Sequence, residues 1–271
     1  MKPSPASQHC SPASATRPRH DHRHVFGEAP GCDTGDAGSE VGVRDNLTFV
    51  LANLADPQAP APATPVADRE ALLELARPHG VENILWRKFG ADIDAPGGAS
   101  TLHRIGQAML LDGLRRELSA ALAAEGVAAH VVKGPVFAEK LYAVRGDRLF
   151  SDIDLLADVG AIEDAIRVIE GLGYVRPSKS WDNSKRDMEY KFGHPRHPTA
   201  LIELHGNLVH YPQLRRRATF GLPELLAAGD GDGEAPTALL ATAIVHGTLG
   251  HKLDRLVMLV DVLQAVRNLP R

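Results

Sequence analysis

The sequence predicts an α+β protein: a small β-sheet core held between helices at both ends. Three observations carry this. Apolar residues recur at helical spacing before residue 128, the period shifts to strand-like alternation from Ala129, and helical spacing returns after Pro236. The expected organisation is a disordered leader over 1–43, a helical region over 44–128, a core over 129–210 and a C-terminal helical region over 211–271.

Composition narrows the class. The 271-residue chain has 44% hydrophobic and 24% charged residues, which is ordinary for a globular protein. Its formal charge of -4, from 30 basic and 34 acidic residues, gives no global attraction to nucleic acid. No apolar run approaches the roughly 18 residues of a membrane span. The start lacks the apolar centre of a secretory signal, and the two cysteines, Cys10 and Cys32, imply no disulfide framework. A cytoplasmic protein is expected, and the Ala-, Gly-, Arg- and Asp-rich composition points to a GC-rich bacterial source. The leader is rich in Pro, Ser, Gly and His, too polar to offset its ordering entropy.

The helical region reads as a short helix within Asp45–Ala55, a Pro/Ala linker, then Asp68–Arg77 with Asp68 as N-cap. Val81–Phe89 follows, burying Ile84, Leu85 and Phe89. Leu102–Glu125 is the longest helix, with Ile105, Met109, Leu110, Leu114, Leu118 and Leu122 as its apolar stripe and Gly126 as its C-cap.

In the core, AHVVK reads as a strand, and Gly134-Pro135 opens a helix over Val136–Tyr142, where proline suits the first turn. Phe150–Ala157 is a strand carrying Asp152 and Asp154 two residues apart, so both carboxylates project to one side. Like charges that close repel, and a divalent cation relieves them. Val159–Leu172 is an amphipathic helix ended by Gly173, and Tyr174-Val175 opens a strand. A loop with Trp181 leads to two strands, Met188–Gly193 and Ala200–Leu208, joined by a proline-containing turn. The second places Leu201, Glu203 and His205 on one face and Ile202 and Leu204 on the other. A mid-strand glutamate is costly unless paired or cation-bound, which makes Glu203 a third carboxylate for the site. The tail is helical and includes an apolar helix bearing a single Asp261.

Three chemistries place an acid-x-acid pair at a strand end. An aspartyl-phosphate phosphatase wants Thr or Val two places after the second acid, where Leu156 stands. A metal-dependent glycosyltransferase needs a β/α nucleotide-binding half upstream, where this chain is helical. Nucleotidyl transfer needs a Lys/Gly turn at the phosphates, two acids on a strand and a third on its neighbour.

Lys133-Gly134, Tyr142, Arg148, Ser151-Asp152-Ile153-Asp154-Leu155-Leu156 and Glu203-Leu204-His205, in that order, resemble the nucleotidyltransferase superfamily with the polymerase-β-like fold. The pattern is most similar to the bacterial, uncharacterised nucleotidyltransferase family. HGVENILWRKF (His79 to Phe89) resembles a helix ahead of that family's core, and His246, His251, Leu256 and Asp261 match its C-terminal helices. The resemblance covers roughly residue 66 to the end. It implies a small mixed sheet, Mg²⁺ (or Mn²⁺) held by Asp152, Asp154 and Glu203 as catalytic residues, and a nucleoside triphosphate bound near Lys133, Gly134, Arg148 and Ser151. The implied reaction moves AMP from ATP onto a hydroxyl acceptor, with an antibiotic, a sugar phosphate, a tRNA end and a protein side chain all open. One departure stands out: the wider superfamily favours Gly-Gly or Gly-Ser in the first turn, whereas Pro135 here has no N–H to donate to phosphate. The alternative expectation is therefore a catalytically weak nucleotide-binding or scaffolding module of the same fold, or more remotely a DxD glycosyltransferase.

Overall fold

The computed structural model describes residues 50–61, 69–89, 98–176 and 188–270, and the side chains of 98–101 are outside that description. Trp181, Asp68 and the leader, including its histidines, lie outside the described residues.

Ahead of the sheet come a helical turn at 50–54 and helices α1 (Arg69–Ala76), α2 (Glu82–Lys88) and α3 (Gly98–Ala124). Strand β1 (Ala129–Val132) runs into α4 (Gly134–Lys140), then β2 (Ile153–Ala157) and α5 (Ile162–Gly171). The hairpin β3 (Glu189–His194) and β4 (His197–His205) completes the sheet. The C-terminal part holds α6 (Pro212–Arg215), α7 (Leu222–Ala228), α8 (Pro236–Val245) and α9 (Leu256–Arg267). The four strands lie in the order β1-β2-β4-β3, with β2 and β4 parallel and both outer pairs antiparallel, a mixed sheet in an α+β protein.

Local chemistry sets the helix ends. Val127 N–H bonds to the Leu122 carbonyl at 2.9 Å and Gly126 N–H to Ala123 at 3.1 Å, while Gly126 takes φ +66°. That pair of bonds closes α3 with the left-handed glycine cap that its sequence predicts. Gly173, at φ +90°, ends α5 in the same way.

The sheet sorts its side chains by the two-residue period of a strand. Ile153 and Leu155 of β2, Ile202 and Leu204 of β4 and Phe192 of β3 join the main core, which also takes in Leu111, Leu118 and Leu122 of α3 and Ile166 and Ile169 of α5. Val132 and Leu156 point to the opposite face, into a second apolar cluster with Leu208, Val209, Phe220, Leu222 and Leu225. Asp154, Glu203, His205, Glu189 and Lys191 share this second side by the same alternation.

The structure corrects several expectations. The stripe of α3 runs through Leu111, Leu118 and Leu122, whereas Met109 is 72% exposed and Leu110 is also exposed. The helix is apolar enough that two overlapping stripes can be drawn, and packing selects the one centred on Leu111. Asp152 sits one residue ahead of β2 rather than within it. Tyr174-Val175 forms only an isolated bridge from Val175 to Gly193. Between α4 and β2, Arg145–Asp147 forms a 3₁₀ turn.

Candidate metal-assisted active site

The parallel pairing of β2 with β4 builds the site. It sets Asp154 beside Glu203, and the β3–β4 register sets Lys191 beside Glu203 and Glu189 beside His205. Residues far apart in sequence thus form two short rows on one sheet face. This face floors a cleft of about 450 Å³ lined by Lys133, Gly134, Arg148, Ser151, Asp152, Asp154 and Glu203, together with Glu189, Lys191, His210 after β4 and His246 and His251 of the C-terminal part. Every residue expected at the site therefore lines one cleft.

Asp154 is the most constrained member. Its Oδ1 lies 2.6 Å from Lys133 Nζ and 3.0 Å from His205 Nε2, and all three residues are buried. Burial alone pushes its carboxyl up, but the Lys133 charge and the His205 hydrogen bond outweigh that and hold it well below the usual carboxylate range. Lys133 reaches this place through an unusual backbone, φ 55° and ψ -140°, at the end of β1. Such a conformation in a residue with a Cβ costs on the order of 1–3 kcal/mol, so the surrounding packing must enforce it. Gly134 follows because a Cβ there would meet Phe150 Cβ at 3.2 Å. Pro135 stands in the first turn of α4, where the missing N–H breaks no helical bond.

Asp152 behaves oppositely. Burial, then the neighbouring charges of Asp154 and Glu203, raise its pKa to about 6. Glu203 is paired to Lys191 at 2.6 Å, and Lys191 also reaches Glu189 at 3.0 Å. Burial works against the Lys191 charge, but the two glutamates prevail and raise its pKa above the ordinary lysine value. Ser151 is exposed at the cleft.

Arg148 lines the cleft but is already engaged. Its Nε lies 2.8 Å from Asp261 Oδ1 and an Nη 3.0 Å from Oδ2, and the Tyr142 hydroxyl donates to the same carboxylate at 2.7 Å. The sequence marked Arg148 for nucleotide and Asp261 for the tail; the fold joins them across 113 positions, tying α9 to the loop before β2. That loop is held from the other side as well. Arg87 makes a two-pronged bond to Asp147 at 2.7 and 2.6 Å, and Asn83 donates to the Gly146 carbonyl at 2.7 Å. Sequence reading singled out the segment of Asn83 and Arg87 without seeing these contacts, which nothing in local periodicity encodes.

The C-terminal histidines were assigned to tail helices, and the structure brings them to the acids. A π-helical turn at His246–Gly250 follows α8, and the His251 N–H bonds back to the His246 carbonyl at 3.1 Å. The extra residue in this turn stacks the two imidazoles edge to face, with centroids 4.6 Å apart. His210 bridges from His251 to His205 at centroid distances of 5.6 and 5.8 Å. Burial, with Lys133 nearby, lowers the pKa of His246 and His251. Burial, then His205 and Lys133, brings His210 to about 4. His210, His246 and His251 therefore favour the neutral form at pH 7. Glu189, Lys191 and His210 line the cleft without having been singled out in the sequence. The only signal for His210 was the His-x-x-x-x-His spacing from His205.

The donor chemistry fits a hard divalent cation. Ligand atoms of Asp154, Glu203 and His205 lie within 4.8 Å of one another. Around them stand the four carboxylates of Asp152, Asp154, Glu189 and Glu203, with the Lys133 ammonium against Asp154 and the Lys191 ammonium against Glu189 and Glu203. Clustered carboxylate oxygens are the ligands that Mg²⁺ selects.

No curated protein matches the chain significantly. A family model described as "Uncharacterised nucleotidyltransferase" matches residues 65–271, which takes in every described element from α1 onward. With three-quarters of its length matched and the acid pair and its partner strand inside the match, the chain belongs to the uncharacterised nucleotidyltransferase family.

Proposed function

We propose that the protein transfers a nucleoside monophosphate, AMP from ATP, onto a hydroxyl group of an acceptor, with Asp152, Asp154 and Glu203 as the metal-holding carboxylates. The single observation that supports this best is the β2–β4 register, which puts Asp154 beside Glu203 at the floor of one cleft with Asp152 at the entrance to β2. Mg²⁺, or Mn²⁺ in its place, would be held by these three side chains and would supply charge neutralisation at the transferring phosphate.

The remaining work falls to the chain. The acceptor oxygen attacks the α-phosphorus, the bond from that phosphorus to the bridging oxygen breaks, and pyrophosphate leaves with the electron pair. The proton of the hydroxyl passes to a carboxylate of the cleft. Lys133 neutralises Asp154 before the substrates arrive and lies within the same cleft wall, where its ammonium can turn to phosphate once a cation takes over that charge. Arg148 acts on the nucleotide side only through groups left free by Asp261, and Ser151 offers a hydroxyl at the exposed edge.

The test is transfer of label from α-labelled nucleotide to acceptors in a metabolite mixture, with Mg²⁺ present. Asp154→Asn is expected to lower the rate about 1,000-fold, the scale of several kcal/mol of transition-state stabilisation. Equal transfer by variant and wild type would refute the proposal. One observation favours a second reading, a nucleotide-binding module without turnover: Pro135 lacks an N–H and Lys133 is committed to Asp154. Calorimetry with Mg²⁺-ATP separates the two, since binding without any product supports the module.

A further inference from the structure

We propose a second metal site beside the carboxylate trio, formed by Glu189, His205 and His210 and suited to a transition-metal ion such as Zn²⁺ rather than to Mg²⁺. A ligand atom from each of the three lies within 4.8 Å of the others. Glu189 stands opposite His205 in the β3–β4 register, so two of the ligands sit on paired strands. The third comes from the segment after β4, which is fixed by the Asn207 side chain accepting from the Val209 N–H at 2.8 Å and by Arg215 donating to the Val209 and His210 carbonyls at 3.1 and 3.3 Å.

The hydrogen-bond inventory shows which atoms are left for a ligand. His205 is fully buried, and its Nε2 lies 3.0 Å from Asp154 Oδ1. An ionised carboxylate only accepts, so Nε2 carries a proton, and in the neutral ring that a metal ion selects the lone pair lies on Nδ1. Among the described residues that Nδ1 has no hydrogen-bond partner, and neither does His210 Nε2. A buried ring nitrogen without a partner calls for an explanation. A carboxylate that holds one imidazole nitrogen while the other is free for a cation is the arrangement that orients metal-binding histidines. Asp154 would thus serve two sites: as a ligand in the first, and as the positioning group for His205 in the second.

Two imidazoles and one carboxylate suit Zn²⁺ and its neighbours, whereas Mg²⁺ takes oxygen donors. Three protein ligands leave a tetrahedral ion one open position, and Glu189 and His210 both line the cleft, so that position faces the substrate space. The assignment stands apart from the nucleotidyl-transfer proposal, because it concerns different ligand atoms and another class of ion.

The experiment uses the full chain with His9, Cys10, His20, His22, His24 and Cys32 replaced by Ala, so that the leader's imidazoles and thiols cannot compete, stripped with chelator and returned to millimolar Mg²⁺. Co²⁺ is titrated in by calorimetry and visible absorption. The expected result is one equivalent bound despite the Mg²⁺, with absorption bands of a low-coordinate nitrogen-containing site. Glu189→Gln and His210→Gln should each weaken Co²⁺ at least about 100-fold, and Asp154→Asn about 10- to 100-fold through loss of the positioning bond. Asp152→Asn should leave Co²⁺ binding intact. Melting curves confirm that each variant folds, and Co²⁺ should raise the wild-type midpoint but not that of His210→Gln. Binding lost with Glu203→Gln but unaffected by His210→Gln would place the ion among the carboxylates and overturn the site, as would no binding in wild type.

Discussion

At the scale of single residues, Asp152 and Asp154 show how two identical side chains diverge. Asp154 has Lys133 and His205 against it and stays ionised, while Asp152 has mainly burial and two negative neighbours. A carboxyl whose pKa rises on folding, from 3.8 to about 6, binds its proton more tightly in the folded state. Its ionisation therefore destabilises the fold: the penalty is absent below about 3.8, grows with pH and is complete above about 6. Asp152→Asn removes it. Without metal at pH 8 the variant should be more stable than wild type by on the order of 2 kcal/mol, or about 5 °C in midpoint. At pH 3.5 the difference should vanish. Added Mg²⁺ should raise the wild-type midpoint and close the gap at pH 8. Scanning calorimetry at the two pH values decides it, and a variant no more stable than wild type at pH 8 would remove the charge-repulsion argument for a cation. The pair itself was legible in the sequence as Asp-x-Asp. Their unequal environments were not, because Lys133 approaches from the end of β1 and His205 and Glu203 from β4.

At the scale of elements, β4 was the most readable and α3 the least. Strict alternation in β4 announced that Ile202 and Leu204 face the core while Glu203 and His205 share the other side, and the burial agrees. The parallel partnership with β2 was not written in either strand, since a short apolar strand pairs in many registers. In α3, leucines and alanines recur so densely that helical spacing fits more than one face. The tertiary contacts resolve this, and they make a sharp comparison. Leu118→Ala should cost about 2–5 kcal/mol, the usual range for emptying a filled core position. Met109→Ala, at a site 72% exposed, should change stability by less than about 0.5 kcal/mol. Urea titrations of both variants measure the two values; similar costs would mean that the stripe centred on Leu111 is misassigned.

At the scale of the whole molecule, the cleft is a place where every part of the described chain meets. The β1 end gives Lys133, the strands give the acids, α2 steadies the loop before β2 through Arg87, and the C-terminal part brings Asp261, His246 and His251. Packing three histidines into such a junction has a consequence for acid stability. His210, His246 and His251 all have pKa values lowered by burial, so the unfolded chain binds protons that the folded chain refuses. Stability from these groups is fully present above their ordinary pKa of about 6.5 and falls as pH drops below it, down to about 4 for His210. Asp152 opposes this trend but is one group against three. Unfolding free energy should therefore be level between pH 8 and 7 apart from that small term, then decline through pH 6 and 5. Each refusing histidine contributes up to about 1.4 kcal/mol per pH unit in this window. His246→Asn has no proton to take up, so its stability curve should fall less steeply than that of wild type by about that amount. Urea denaturation at pH 7.5, 6 and 5 gives the slopes directly, and parallel curves for the two proteins would show that His246 titrates alike in the folded and unfolded chains.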